Sequence, residues 1–213
     1  VTEIRRSVER YQILRMRETH ADLIASADYG PLCEFFFNDI YAPRDFRKRD
    51  EAFHTLARKL KSAIPERVFG GIAGLLELSV ISDALDTRLA AALRTRGCTA
   101  DFTCEEFEDA YAACDNYALR IKQIALVDSS LEFTHHLSQL PSIEWITKGA
   151  VRAAKFFHVG EIAEFLEKGS LAFRRVPDLT VFRAAMRDRE TKYVNRLFGK
   201  EEEAGVRALP RRM

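Results

Sequence analysis

Between Pro65 and Gly97 the chain runs without a proline, and both boundary residues suit the ends of one long helix. Proline fits a first helical turn, where its missing N–H would have had no partner, and glycine takes the left-handed backbone that commonly ends a helix. At ~1.5 Å of rise per residue such a helix crosses a small domain from side to side. The rest of the chain must pack around this rod.

The flanking sequence supplies further helices. Ile4, Val8, Tyr11 and Leu14 recur at helical spacing and predict an amphipathic cover helix from Thr2 to about Ser26. Pro31 opens a second helix whose body, Leu32 to Tyr41, is apolar on nearly every side, so it must be buried or face a partner. Asp45 can cap a third helix through Ala63, with Phe53, Leu56, Ala57 and Leu60 inward and a basic face outward. Thr103 and Glu106 form a capping-box pair, which starts a helix running through Tyr111, Leu119 and Ile124 to about Val127. Ser129 and Glu132 repeat that pattern and predict a separate helix ending before Pro141; one continuous helix kinked at Asp128 is the alternative.

Ser142 and Asp178 cap two later regions, with subdivision at Gly160 and Gly169, and Gly199 closes the last helix. The Gly70, Gly71 and Gly74 cluster marks either a kink or a close approach between helices. No alternating run predicts a strand. The expected fold is all-α: a single-domain bundle of about seven to nine helices with the long helix central. It spans residues 1–199, with a frayed tail at 200–213.

Composition supports this reading: 213 residues with 47% hydrophobic content can bury a full core. Formal net charge is +1, so the chain lacks the overall field of a general nucleic-acid binder. Charge is nevertheless unevenly placed, with nine acids against three arginines over residues 76–116 and basic stretches at Arg44–Arg67 and from Arg174 onward. Such asymmetry either pairs internally or steers one copy onto another. Basic faces at Arg47, Lys48, Arg58 and Lys59, and at Arg183, Arg187, Arg189, Lys192 and Arg196, read as solvated helix surface rather than as phosphate sites.

Cys33, Cys98, Cys104 and Cys114 have neither metal-site nor disulfide-framework spacing, which points to reduced thiols. No apolar run approaches the ~18 residues of a membrane span and the first residues lack a signal core, so the expected location is cytoplasmic, away from membranes. Neither a phosphate-cradling glycine loop nor a nucleophile-elbow motif is present.

Asp83 and Asp86 lie three residues apart on a face of the long helix that also carries Ile72, Leu76 and Val80. Charges on an apolar face need cations, and Arg49 and Arg120 are the candidates, Arg120 because Tyr117 to Ile121 is largely apolar. A structural ion-pair network is the main reading, a helix end reaching solvent the second, and a ligand-binding site at Asp83, Asp86, Arg120 and Arg49 the third. A buried Asp83 would make Asp83→Ala cost about 3–5 kcal/mol.

A metal reading rests on two Glu-x-x-His sequences, Glu51–His54 and Glu132–His135, with Glu34 or Glu77 as further carboxylates; Glu132, His135 and Glu77 are its ligands in the ferritin-like, di-iron alternative. Against it, Glu51 falls nearly opposite the apolar face of its helix. A haem alternative would use His158 beside Phe156 and Phe157. The main expectation has no cofactor: a helical scaffold that associates with itself, as a homo-oligomer, or with another protein. An apolar ligand pocket is the second reading and a carboxylate/histidine metal enzyme the third.

Overall fold

The computed structural model describes residues 3–40, 66–140, 148–149, 151–152 and 160–200. They form an all-helical architecture, with no strand among the described residues. Helix α1 covers Glu3–Thr19 and α2 Ala21–Ala25; α3, Gly30–Phe35, continues as a π-type turn over Phe36–Ile40. Helix α4 is the long rod, Glu66–Thr95, followed by α5 (Cys104–Ala113), α6 (Tyr117–Ser138), α7 (Gly160–Arg174) and α8 (Thr180–Leu197). Helix α4 lies against α1, α5 and α6, and α6 also packs on α7 and α8, so the rod is central as expected.

Local chemistry accounts for the boundaries. Thr103 Oγ1 accepts the Glu106 N–H while Glu106 accepts the Thr103 N–H, completing the capping box of α5. Gly97 and Gly199 have φ of +79° and +64°, the left-handed endings of α4 and α8. The Asp178 carboxylate accepts the Thr180 N–H at 2.8 Å just ahead of α8, whose N-cap position is Leu179 rather than the aspartate. Asp115, at φ 46°, turns the chain sharply between α5 and α6, a conformation that aspartate tolerates better than most residues.

Three sequence expectations change. The predicted break at Ser129 does not occur: α6 is continuous, and the Ser129 hydroxyl donates to Leu126 O within the helix. Gly169 does not interrupt α7, because it faces Phe35, whose ring leaves no room for a Cβ. The inner face of α4 is Ile81, Leu85, Leu89 and Leu93; Val80, 63% exposed, lies outside it. Gly71 marks a close approach, since a Cβ there would sit inside the Phe133 ring of α6.

The predicted third helix, with Arg49, Glu51, His54 and its basic face, lies outside the described residues, as do Ser142, His158 and the tail from residue 201.

Two apolar clusters fill the interior. One gathers Leu32, Phe36, Phe37, Phe173, Val176 and Phe182 where α3, α7 and α8 meet. The other gathers Val8, Leu89, Leu93, Phe107 and Tyr111 between α1, α4 and α5. Among the described residues of the helix that is apolar all round, Leu32, Cys33, Phe35, Phe36 and Phe37 are buried within the chain itself, and Ile40 is half-buried. Helix α1 likewise docks inward through Val8, with Ile4 and Tyr11 beside it, while Leu14 is 58% exposed.

Candidate ligand site

The helices that carry the two clusters also carry polar residues between them. On α1, Gln12 and Arg15 share the inner stripe with Val8 and Met16, and the fully buried His20 follows between α1 and α2. On α8, Glu190 follows Met186 by one turn and precedes Val194 by another, placing a carboxylate on the buried face. Helix α6 brings Arg120, α5 Tyr111 and α4 Asp86 to the same level, and these side chains line a cavity of about 70 Å³ that is partly open to the surface. Ile124, Val127, Leu131 and Met186 supply its apolar wall.

At its heart is an alternating stack. The Arg120 guanidinium lies 4.2 Å from the Tyr111 ring centre, Tyr111 meets Tyr193 edge-on at 6.0 Å, and the Arg15 guanidinium lies 4.1 Å from the Tyr193 ring. Each contact joins a cation to the negative face of a ring, or the edge of one ring to the face of the next. The turn at Asp115 lets Tyr111 and Arg120, on successive helices, meet in this way.

The two ends of the stack differ. Arg15 donates Nη1 and Nη2 to Glu190 at 3.0 and 2.6 Å, and His20 Nε2 lies 3.1 Å from the same carboxylate. Burial would push the Glu190 carboxyl up, but the hydrogen bonds from His20 and Arg15, with their charges, hold it down at about 2. Arg120, 2% exposed, has no hydrogen-bond partner at Nε or Nη2. Asp86 sends its field toward Arg120, yet its Oδ1 accepts from Gln12 Nε2 at 3.0 Å instead. Burial raises the Asp86 pKa against the pull of Gln12, Arg120 and Arg5. Arg15 Nε and the Tyr193 hydroxyl are also buried without partners, and burial pushes the Tyr193 phenol up, keeping it a neutral donor. The residues that carry these groups, His20 and Arg5 apart, border one cavity.

Of the four residues expected at the ligand site, two meet here. Asp86 and Arg120 both line the cavity. Asp83 does not: its side chain is 68% exposed and pairs with Arg5 at 3.0 Å, because it points away from the Ile81–Leu93 stripe. Arg49 lies outside the described residues.

The residues of the metal reading are held apart by other partners. Glu132 pairs with Arg183 at 3.0 Å, Glu77 with Lys122 at 2.5 Å, and Glu34 with Arg17 at 3.2 Å, while His135 Nε2 lies 2.9 Å from the Val176 carbonyl. No metal-holding group of side chains occurs among the described residues. The C-terminal arginines pair within the chain: Arg183 holds Asp128, Arg189 holds Asp22, and Arg196 holds Glu108 of the acidic stretch. Cys33, Cys98, Cys104 and Cys114 are free thiols.

Arg15, His20, Glu190, Tyr111 and Tyr193 were missed as site residues. The signal was available in the helical spacing Phe182, Met186, Glu190, Val194, where a carboxylate interrupts an apolar stripe, and in Val8, Gln12, Met16. Arg183, Arg187 and Arg196, which flank that stripe, drew attention to the basic face instead.

No described helix is long and apolar enough to cross a membrane. No curated protein and no solved structure matches the chain. Residues 2–204 match the family described as Domain of unknown function (DUF8198), and with nearly its whole length inside that match the chain belongs to this family.

Proposed function

We propose that this domain is a binding module that holds a small molecule in the cavity between α1, α4, α5, α6 and α8. The observation that carries the reading is Arg120, a residue of the cavity lining that keeps two guanidinium nitrogens buried without a hydrogen-bond partner, the kind of uncompensated polar group that a binding site retains. Tyr193 and Arg15, which line the same cavity, each carry a further buried unpartnered donor. This differs from a purely apolar pocket, because apolar walls and a few convergent polar groups are what give a small-molecule site its orientation and selectivity.

Methionine methyl NMR tests it directly. The chain has three methionines, and two of them, Met16 and Met186, line the cavity. A screen of small anionic, neutral and cationic molecules should yield at least one that shifts both methyl signals saturably. A screen in which no compound moves either signal overturns the proposal.

A second reading is association with another copy or another protein, supported by Leu14, Val80, Leu171 and Val181, each at least 58% exposed. Sedimentation at micromolar concentration tests it, and a clean 24.3 kDa species defeats it. The four unpaired cysteines support a reducing, cytoplasmic setting for either role.

A further inference from the structure

We propose that the seam between α1 and α4 is an acid-tightened latch: Glu9, Asp83 and Asp86 bring three carboxylates to one guanidinium, Arg5, and a proton taken up by Glu9 or Asp86 draws α1 down onto α4. Arg5 Nε donates to Glu9 at 3.1 Å, one turn along the same helix. On α4, its Nη2 pairs with Asp83 at 3.0 Å and lies 4.0 Å from Asp86. Its Nη1 donates to the Asp83 carbonyl at 3.1 Å and to the Thr87 hydroxyl. Gln12, farther along α1, donates to Asp86 at 3.0 Å. These hydrogen bonds hold the two helices together while the carboxylates repel one another across the same seam.

The charges do not balance. Beyond the seam, Asp86 is felt by Arg120 of α6 and by Tyr111 of α5, whose phenol burial keeps neutral. Among the described residues, three carboxylates therefore meet two guanidiniums, Arg5 and Arg120. Asp83 is 68% exposed and water screens it, but Glu9 and Asp86 are only 18% and 16% exposed. Their repulsion is the part that a proton relieves. Burial, together with the neighbouring carboxylates, pushes Glu9 above its ordinary 4.5 against the pull of Arg5. Burial and Asp83 push Asp86 above its ordinary 3.8 against Gln12, Arg120 and Arg5. With both folded-state values raised, the stabilisation is fully present below the ordinary values and is lost as pH rises through the raised ones. Glu190, which holds Arg15 at the other end of α1, runs the opposite way. Because Gln12, Arg15 and Met16 line the cavity, the latch sets how firmly that wall is held, whether or not a ligand binds there.

The test follows hydrogen exchange of the α1 amides in the full chain at pH values of about 7 and about 4.5, corrected for the intrinsic rate; the lower value is still above the range in which Glu190 gives way. The wild-type chain should exchange severalfold more slowly at the lower pH, because proton uptake makes local opening of α1 rarer. Glu9→Gln imitates the protonated seam and leaves Asp86 to Arg120, so it should exchange slowly at both pH values. Asp83→Asn, at an exposed position, should give a weaker form of the same effect, and it serves if Glu9→Gln does not fold. His20, 3.1 Å from Glu190, is another titratable group buried against α1. A pH response that survives undiminished in both variants belongs to such a group and overturns the latch. So does wild-type exchange that is as fast at the lower pH as at the higher, or faster.

Discussion

The phenylalanine cluster between α3, α7 and α8 and the arginine–tyrosine layer beneath it are buried to similar depth, yet they are built on opposite terms. In the cluster, Phe182 at 1% and Phe173 at 3% exposure sit among apolar side chains, and burial is itself favourable. In the layer, Arg120 at 2% exposure has given up water without gaining a hydrogen-bond partner at two of its nitrogens. Depth alone therefore does not separate structural from functional residues. What separates them is whether each buried polar atom has been compensated.

The largest effect should come from the compensated side. Phe182→Ala empties a fully packed site and should cost about 4 kcal/mol in chemical denaturation. A loss below about 1 kcal/mol would mean the cluster is less tightly packed than its burial implies.

Glu190→Gln cuts into the compensated end of the polar layer and should cost about 3 kcal/mol at neutral pH, since it leaves Arg15 buried without its counterion. The pH dependence gives a second readout. The folded-state pKa of Glu190, about 2, is below its ordinary 4.5, so its stabilisation is present above pH 4.5 and is lost as pH falls toward 2. The wild-type chain should lose stability across that window more steeply than the Gln variant; parallel acid curves would refute the assignment.

At the uncompensated end the loss should be smaller. Arg120→Met removes two unpartnered nitrogens but also the stacking on Tyr111 and a cation that Asp86 feels, and should cost about 1 kcal/mol. A loss as large as that of Glu190→Gln would show that Arg120 is a structural member of the network, erasing the distinction between the two ends. The smallest effect is at the surface: Asp83→Ala should change stability by no more than about 0.5 kcal/mol, as exposed ion pairs do.

That last value is a revision, and it shows what the sequence could reveal. Caps and terminators were legible because their chemistry is local: Thr103 with Glu106, Gly97 and Gly199 needed no knowledge of the tertiary fold. The face of α4 was not, because Ile72, Leu76 and Val80 offer a stripe as plausible as Ile81, Leu85, Leu89 and Leu93, and only the neighbours α1 and α5 decide between them. Choosing the first stripe turned Asp83 inward. Arg120 was found because charge in an apolar stretch is itself a local signal. Its stacking partner Tyr111 was not, since the contact depends on the turn at Asp115 between two helices. Nor did the Ser129–Glu132 pattern start a helix, because Ser129 is already inside α6 and its hydroxyl turns back to Leu126.

The Glu190 knot has a consequence for how the chain comes into being. Its partners His20 and Arg15 precede it by 170 and 175 positions. A ribosome adding about 5–20 residues per second delivers Glu190 roughly 10–35 s after Arg15. Throughout that interval α1 can lay Val8 against the growing rod, but its arginine and histidine must stay hydrated. Helix α8 thus acts as a clasp: nascent chains stalled before α8 emerges should present a more protease-sensitive α1, and completion of α8 should close it in a single late step.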